Sequence, residues 1–179
     1  MKSIRSMNQA ELAAYVQTAL RKEGIDLVLT GGAAVTLYSN NKYVSRDLDF
    51  VDAGFSSFLK IKREMESIGF RQKGKHFVHS ETEFLVEFVA SPLSVGNEPV
   101  SAISKVKLPT GLLKVISPSD CVKDRLAAFF YWNDLQALEQ ALLVARSKKI
   151  DSKEVERWAN TEKMKEKYRE FAKRLNKRK

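Results

Sequence analysis

The sequence predicts a mixed α/β fold followed by a region that is entirely helical. Short apolar runs rich in β-branched residues alternate with segments of helical periodicity in the first two thirds of the chain. From Pro118 to Leu175 the apolar residues recur only at helical spacing. No internal repeat or low-complexity linker interrupts the chain. We therefore expect an α/β core over residues 1–116 and a helical region over residues 117–179.

The elements of the α/β core are predicted from local signals. Asn8, with Glu11 three residues later, is typical of a capping box at the start of a helix, and Gly24 favours its end. The segment 25–30 predicts a strand, which two glycines end before a short helix. The later predictions are a strand at 47–52, a helix at 55–68, β-structure with a hairpin at 70–89, and short strands at 105–109 and 112–117.

Four helices are predicted after Ser117. Pro118 suits the first turn of a helix because its φ is already helical, and Asp120 favours the same turn electrostatically. Each helix has an apolar stripe at helical spacing. The stripes are Val122, Leu126 and Phe129; Leu135, Leu138, Leu142 and Ala145; Val155 and Trp158; and Met164, Tyr168, Phe171 and Leu175.

Length and composition limit the classes of protein to which the chain can belong. A chain of 179 residues, 44% of them hydrophobic, is long enough to bury a core without covalent staples. The single cysteine, Cys121, excludes an internal disulfide framework and favours a reducing compartment. No apolar run approaches the length of a membrane span, and the first residues lack the apolar region of a signal peptide. We therefore expect a soluble, cytoplasmic protein; its oligomeric state is not predicted.

The formal net charge of +9 is concentrated at the carboxyl end. Residues 163–179 contain nine Lys or Arg against two Glu, so the remainder of the chain is close to neutral. A basic helix of this kind is compatible with RNA binding through phosphates. A solvated helix face explains the same charges. Both interpretations remain open.

The strongest chemical signal lies within residues 27–50. Asp47 and Asp49 are two residues apart in a predicted strand, so both side chains project from one face. Two carboxylates at this spacing repel each other unless a cation lies between them or one is protonated, and Mg²⁺ takes such ligands together with phosphates. The preceding Gly31 and Gly32 let backbone approach a phosphate at a helix N-terminus. The segment therefore predicts a cradle for a triphosphate and a metal ion.

Glu87 is the candidate third acid. It lies in a predicted strand, on the same face as Leu85 and Val89. Burying a lone carboxylate is costly, so Glu87 needs either a metal ion or a cationic partner. The sequence leaves open whether Glu87 is a metal ligand or a strand acid paired with Lys or Arg. His76 and His79 face opposite sides of their predicted strand, which favours structural or exposed roles.

Six motifs between residues 25 and 145 carry a family resemblance. They are Gly31-Gly32-Ala33-Ala34, Ser45-Arg46-Asp47-Leu48-Asp49-Phe50, Val86-Glu87-Phe88, Ser117-Pro118-Ser119-Asp120, Arg125-Leu126-Ala127-Ala128 and Asn133-Asp134-Leu135. With these motifs the chain resembles the nucleotidyltransferase superfamily, in particular the bacterial branch of AbiEii-type toxins and related domains. The resemblance implies a mixed sheet with flanking helices, followed by a helical bundle.

The resemblance also implies an activity, which is transfer of a nucleotidyl group from an NTP to a hydroxyl on RNA, such as tRNA, or on a partner protein. The implied setting is a toxin–antitoxin or phage-defence system, and the implied cofactor is Mg²⁺ or Mn²⁺. Catalysis and metal binding are expected at Asp47, Asp49 and Glu87, with Glu87 as ligand or as base for the acceptor hydroxyl. The implied nucleotide-binding residues are Gly31, Gly32, Ser45, Arg125 and Asp134.

A second class of function remains open. Relatives often have Arg, Lys and Lys where this chain has Tyr43, Arg125 and Asn133. These differences favour a binding module that has lost catalysis and acts as an antitoxin-like or nucleic-acid-binding protein. The intact Asp47 and Asp49 favour an enzyme. Asp134 is equally well explained as the cap of a helix N-terminus.

Overall fold

The computed structural model describes residues 2–177. After a short 3₁₀ helix (Ile4–Ser6), its helices are α1 (Gln9–Lys22), α2 (Gly31–Tyr38), α3 (Phe58–Ser67), α4 (Pro118–Trp132), α5 (Leu135–Ser147), α6 (Ser152–Thr161) and α7 (Lys165–Asn176). Its strands are β1 (Leu27–Thr30), β2 (Asp47–Asp52), β3 (Arg71–Lys73), β4 (His76–Val78), β5 (Leu85–Val89), β6 (Ser94–Val95), β7 (Glu98–Pro99), β8 (Ile103–Leu108) and β9 (Gly111–Ile116). The predicted mixed α/β fold with a helical carboxyl-terminal region is confirmed.

The chain forms two compact units whose segments alternate along the sequence. The first unit contains the residues up to Ala33 together with Ser45–Leu93 and Ile103–Ile116. The second contains Ala34–Val44, Ser94–Ala102 and the chain from Ser117 onward. Two segments that precede the predicted boundary at residue 116 therefore belong to the second unit. The division into domains at residues 1–116 and 117–179 stays a prediction.

The first unit is built on a seven-stranded mixed sheet with the order β3-β4-β5-β2-β1-β9-β8. β2 runs parallel to β5 and β1 runs parallel to β9, and the other neighbours are antiparallel. Leu48 and Phe50 of β2 are fully buried, whereas Asp47 and Asp49 are half-buried. The alternation predicted from the sequence is therefore present: one face of β2 enters the core and the other carries the acids.

The ends of the helices follow the predicted local chemistry. Asn8 and Glu11 form the predicted capping box on α1, in which each side chain accepts a hydrogen bond from the other residue's backbone N–H. The helix predicted from residue 55 begins instead at Phe58. The carboxylate of Asp52 holds the preceding loop by accepting the N–H groups of Gly54 (2.9 Å) and Ser56, and Ser57 then caps the helix.

The second unit combines the four predicted helices with a hairpin that the sequence analysis did not predict. Pro118 occupies the first turn of α4, as predicted. The rings of Phe130 and Trp158 stack with centroids 5.5 Å apart, and the indole N–H of Trp158 donates to the carbonyl of Val95 at 3.2 Å. The β6–β7 hairpin therefore completes the core of this unit. Within residues 2–177, no helix has the length and apolar character that a membrane span requires.

A buried acid explains one of the six family motifs structurally. The side chain of Asp120 is fully buried and accepts hydrogen bonds from Ser101, Ser117 and the backbone N–H of Ala102. These bonds join the segment before β8 to the start of α4. The Ser117–Asp120 motif is thereby accounted for by folding, because a buried carboxylate with several donors stabilises the structure around it.

Candidate functional site

The first unit brings the three predicted acids onto neighbouring strands. Asp49 is in register with Glu87 on the parallel strand β5 and with Thr30 on the antiparallel strand β1. Asp47 precedes Asp49 by two residues on β2 and therefore projects from the same face. His76 on β4 is in register with Glu87. We call Asp47, Asp49 and Glu87 the acidic cluster.

Gly31 lies directly against the acidic cluster. It is the first residue of α2 and has a φ of +62°. A Cβ atom at this position would lie 2.2 Å from Oδ2 of Asp49, so a side chain here would displace that carboxylate. The preceding Thr30 donates its hydroxyl to the carbonyl of Asp49 at 3.2 Å. Glycine is therefore required by both the backbone conformation and the proximity of Asp49.

Ser45 lies just before β2 and forms hydrogen bonds with the first residue of that strand. Its hydroxyl accepts the N–H of Asp47 and donates to the carbonyl of the same residue, each at 3.3 Å. Its own carbonyl accepts a hydrogen bond from the side chain of Gln9 at 2.7 Å. Ser45 therefore positions the first acid of the pair through backbone contacts, and its role in nucleotide binding stays a prediction.

Glu87 is paired with two cationic or potentially cationic side chains of the β3–β4 hairpin. Its Oε2 lies 2.9 Å from Nζ of Lys75 and 3.3 Å from Nε2 of His76. The hydrogen bond to Glu87, followed by the charge of Glu87, raises the pKa of Lys75, and the charges of Asp47 and Asp49 act in the same direction. The ammonium of Lys75 therefore contacts Glu87 and lies within the electrostatic field of Asp47 and Asp49.

The contacts of Lys75 and His76 were missed by the sequence analysis. The sequence indicates only a turn at Gly74, which in the structure has a φ of +63° in the tight turn between β3 and β4. The turn sets the pairing of β3 with β4, whereas the pairing of β4 with β5 places His76 opposite Glu87. Two interpretations were left open for Glu87, a metal ligand or an acid with a cationic partner. The structure contains the cationic partner, which is Lys75.

The acidic cluster contains part of the ligand set that a divalent ion requires. Asp47 and Asp49 offer two carboxylates on one strand face, beside a glycine that leaves room for them, and oxygen donors of this kind suit Mg²⁺ and Mn²⁺. As the side chains of residues 2–177 stand, no group of three or more His, Cys, Asp or Glu is arranged to hold a metal. The pair therefore fits a metal ion, whereas Glu87 as a third ligand would have to leave Lys75.

The other predicted nucleotide-binding residues lie in the second unit. Arg125 on α4 forms an ion pair with Asp124 at 2.5 Å and lines an open cavity of about 560 Å³ together with Tyr131 and Trp132. Asp134 caps α5 by accepting the N–H of Ala137 at 3.0 Å, as the alternative interpretation predicted. The nucleotide-binding roles of Arg125 and Asp134 stay predictions.

Part of the basic carboxyl-terminal charge is compensated within the second unit. Lys167 donates to the carbonyls of Phe129 and Phe130, and Arg169 pairs with Glu166. Arg174 pairs with both Glu139 and Glu170. Lys163, Lys165, Lys173 and Lys177 are exposed. Arg178 and Lys179, which also belong to the predicted basic tail, lie outside the described residues.

Comparison with known proteins relates the fold to that of nucleotidyltransferases. No family model and no curated protein sequence matches the chain. The antibiotic-resistance factor ANT(2'')-Ia matches it in two solved structures. The solution structure has a TM-score of 0.50 and 14% identity over 90% of this chain and 91% of that one. A crystal structure in complex with adenylyl-2''-tobramycin has a TM-score of 0.51 and 13% identity over 94% and 99%.

A third solved structure belongs to the same fold. It is an antigenic nucleotidyltransferase-like protein from Paracoccidioides brasiliensis, with a TM-score of 0.50 and 15% identity over 75% of each chain. At identities this low, the likeness establishes the fold alone. The predicted nucleotidyltransferase fold is confirmed, with its mixed sheet, flanking helices and helical carboxyl-terminal region.

Proposed function

We propose that this protein is a nucleotidyltransferase that depends on Mg²⁺ or Mn²⁺. The observation that carries the proposal is the position of Asp47 and Asp49, side by side on β2 and directly against Gly31 at the start of α2. This arrangement supplies carboxylates for a metal ion next to the backbone N–H groups of a helix N-terminus, where phosphates bind. The nucleotidyltransferase fold of its structural neighbours supports the same activity.

The proposed reaction is displacement at the α-phosphorus of an NTP. A hydroxyl oxygen of the acceptor forms a bond to that phosphorus, the bond to the bridging oxygen breaks, and pyrophosphate leaves. The divalent ion, when bound, supplies neutralisation of the charge on the phosphate oxygens. Asp47 and Asp49 hold it, and the first turn of α2 binds phosphate oxygens through N–H groups. Glu87 is either the group that accepts the hydroxyl proton or a further ligand.

The acceptor is proposed to be a hydroxyl on RNA, such as tRNA, or on a partner protein. The resemblance to AbiEii-type toxins supports this choice and the setting of a toxin–antitoxin or phage-defence system. ANT(2'')-Ia was seen with an adenylylated small molecule, adenylyl-2''-tobramycin, so small hydroxyl acceptors belong in the same test. The experiment incubates the protein with each α-labelled NTP, Mg²⁺ and total RNA, total protein or an aminoglycoside. Label transferred to one acceptor class is the expected result; no transfer to any of them contradicts the proposal.

A non-catalytic binding protein with this fold is the second candidate function. The pairing of Arg125 with Asp124 and of Glu87 with Lys75 favours it, because both side chains already have partners of opposite charge. A rise in melting temperature with Mg²⁺ and NTP, combined with no label transfer, would support this second function.

The exposed lysines of α7 and of the residue that follows it, Lys177, are expected to add affinity for RNA without taking part in the reaction. Charge reversal at Lys173 and Lys177 should weaken RNA binding about tenfold at moderate salt and reduce its salt dependence, because fewer phosphates are neutralised. Arg174 is left unchanged, since it is already paired with Glu139 and Glu170. The measurement is fluorescence anisotropy of a labelled tRNA across a range of salt.

The control for the α7 experiment reverses two exposed lysines of another element, Lys105 and Lys107 on β8. It makes the same change in net charge. RNA affinity that falls equally in the two variants would assign the effect to overall charge, and α7 would then be a solvated helix face.

A further inference from the structure

The acidic cluster already has a cation, which the chain itself supplies. Lys75 follows Gly74 in the turn between β3 and β4, and its ammonium lies 2.9 Å from Oε2 of Glu87. The charges of Asp47 and Asp49 also act on that ammonium. The charge of Glu87 is therefore balanced by a side chain of the same protein, and the charge of this side chain also acts on the other two carboxylates of the cluster.

We propose that Lys75 is a tethered counterion that competes with the divalent metal ion for the acidic cluster. The inference rests on the proposed function, because it requires that Asp47 and Asp49 bind a metal. The ammonium pairs with Glu87, and a metal ion bound by the whole cluster would displace it. Loading of the site is then an exchange of one cation for another, and the affinity for metal is lower than the three carboxylates alone would give.

The position of Lys75 in the fold fits such an exchange. The hairpin is anchored to the sheet, since His76 next to Lys75 is in register with Glu87 on the neighbouring strand. The side chain of Lys75 is nevertheless 69% exposed, whereas that of Glu87 is 17% exposed. An exposed ion pair is weak, because water and salt screen it. Lys75 therefore stays close to the cluster when the pair opens, and a doubly charged ion with hard oxygen ligands can replace it.

Glu87 has a second contact in the hairpin, with His76, and this contact shows why the charge of Lys75 matters at this carboxylate. His76 approaches the same carboxylate oxygen at 3.3 Å, so Oε2 of Glu87 receives both neighbours of the hairpin. His76 contacts this carboxylate through one imidazole nitrogen, whereas the ammonium of Lys75 brings a full positive charge to it. Substitution of Lys75 consequently removes a positive charge that is in contact with the cluster.

The experiment measures Mn²⁺ binding without nucleotide, by isothermal titration calorimetry at neutral pH. Lys75→Met retains most of the apolar stem and removes the charge. It should bind Mn²⁺ on the order of tenfold more tightly than the unmodified protein, since a competing positive charge at contact distance has gone. Mn²⁺ should also raise its melting temperature by more. Lys73→Met makes the same change at an exposed position of the same hairpin and should alter the affinity less than about twofold, as screening predicts.

Three outcomes distinguish failure of the tethered-counterion proposal from failure of the proposed function. Equal or weaker Mn²⁺ binding by Lys75→Met, with binding still abolished by Asp47→Asn, overturns the counterion and leaves the metal site intact. Equal tightening by Lys73→Met and Lys75→Met also overturns it, because the effect is then one of overall charge. No Mn²⁺ binding by any variant or by the unmodified protein overturns both proposals. Lys75→Gln, which keeps a polar side chain able to contact Glu87, should reproduce the tightening if Lys75→Met folds poorly.

Discussion

Asp47→Asn and Asp49→Asn are each expected to lower nucleotide transfer by about a thousandfold or more while the fold stays intact. Asn has nearly the shape of Asp and accepts hydrogen bonds, but it lacks the charge that a hard divalent ion requires. Both side chains are half-buried on the face of β2 opposite the core, so packing changes little. Without metal, the melting temperature should stay equal or rise, because repulsion within the acidic cluster decreases.

The measurement combines label transfer with thermal unfolding in the presence and absence of Mn²⁺. Glu83→Gln is the matched control, because it removes an acid with a side chain that is 68% exposed, just before β5. That variant should keep both its activity and its stabilisation by Mn²⁺. Transfer retained in both Asn variants would contradict the proposed site, whichever acceptor is used.

Gly31→Ala is expected to lower transfer about a hundredfold, because a displacement of about an ångström in a catalytic group has consequences of this size. The new Cβ would lie 2.2 Å from Oδ2 of Asp49, and the mobile end of that side chain is the part that moves. Left-handed backbone at φ +62° adds a cost in folding of roughly 1–2 kcal/mol for any residue with a Cβ.

Gly24→Ala separates the effect of backbone strain from the effect of displacing Asp49. Gly24 also has positive φ, at +75°, but the nearest atom to its added Cβ would be Nζ of Lys60 at an ordinary 3.7 Å. The backbone strain is thus similar and the displacement of Asp49 is absent. The expected pattern is a comparable loss of unfolding free energy in both variants, measured by urea denaturation, with loss of transfer only in Gly31→Ala. Equal activity in the two variants would remove Gly31 from the site.

The fold was predictable wherever local chemistry decides the structure. The alternation of β2, the capping box of α1 and Pro118 at the start of α4 were all read from short windows, and the structure contains them. The hairpin of β6 and β7 was not predicted, because strands of two residues have too little periodicity to detect. Its stability comes from contacts distant in sequence, such as the one between Trp158 and Val95.

The candidate site was predictable in part for the same reason. Spacing alone places Asp47 and Asp49 on one face, but only the parallel pairing of β2 with β5 brings Glu87 into register with Asp49. The partners of Glu87 depend on two further steps: the pairing of β4 with β5 places His76 opposite Glu87, and the turn at Gly74 brings Lys75 beside it. Lys75, in a stretch with several other cations, carries no signal that distinguishes it before the sheet is known.

The alternation of segments between the two units limits how the gene can be cut or recombined. A fragment beginning at Ser117 contains all four carboxyl-terminal helices but lacks Ser94–Ala102, and with it the carbonyl of Val95 that receives the indole N–H of Trp158. The same cut removes Ser101 and the N–H of Ala102 from the buried carboxylate of Asp120. This breakpoint therefore yields no intact unit on its carboxyl-terminal side. Transplanting the second unit into a related scaffold requires that Ala34–Val44 and Ser94–Ala102 be transferred with the helices, as two further insertions.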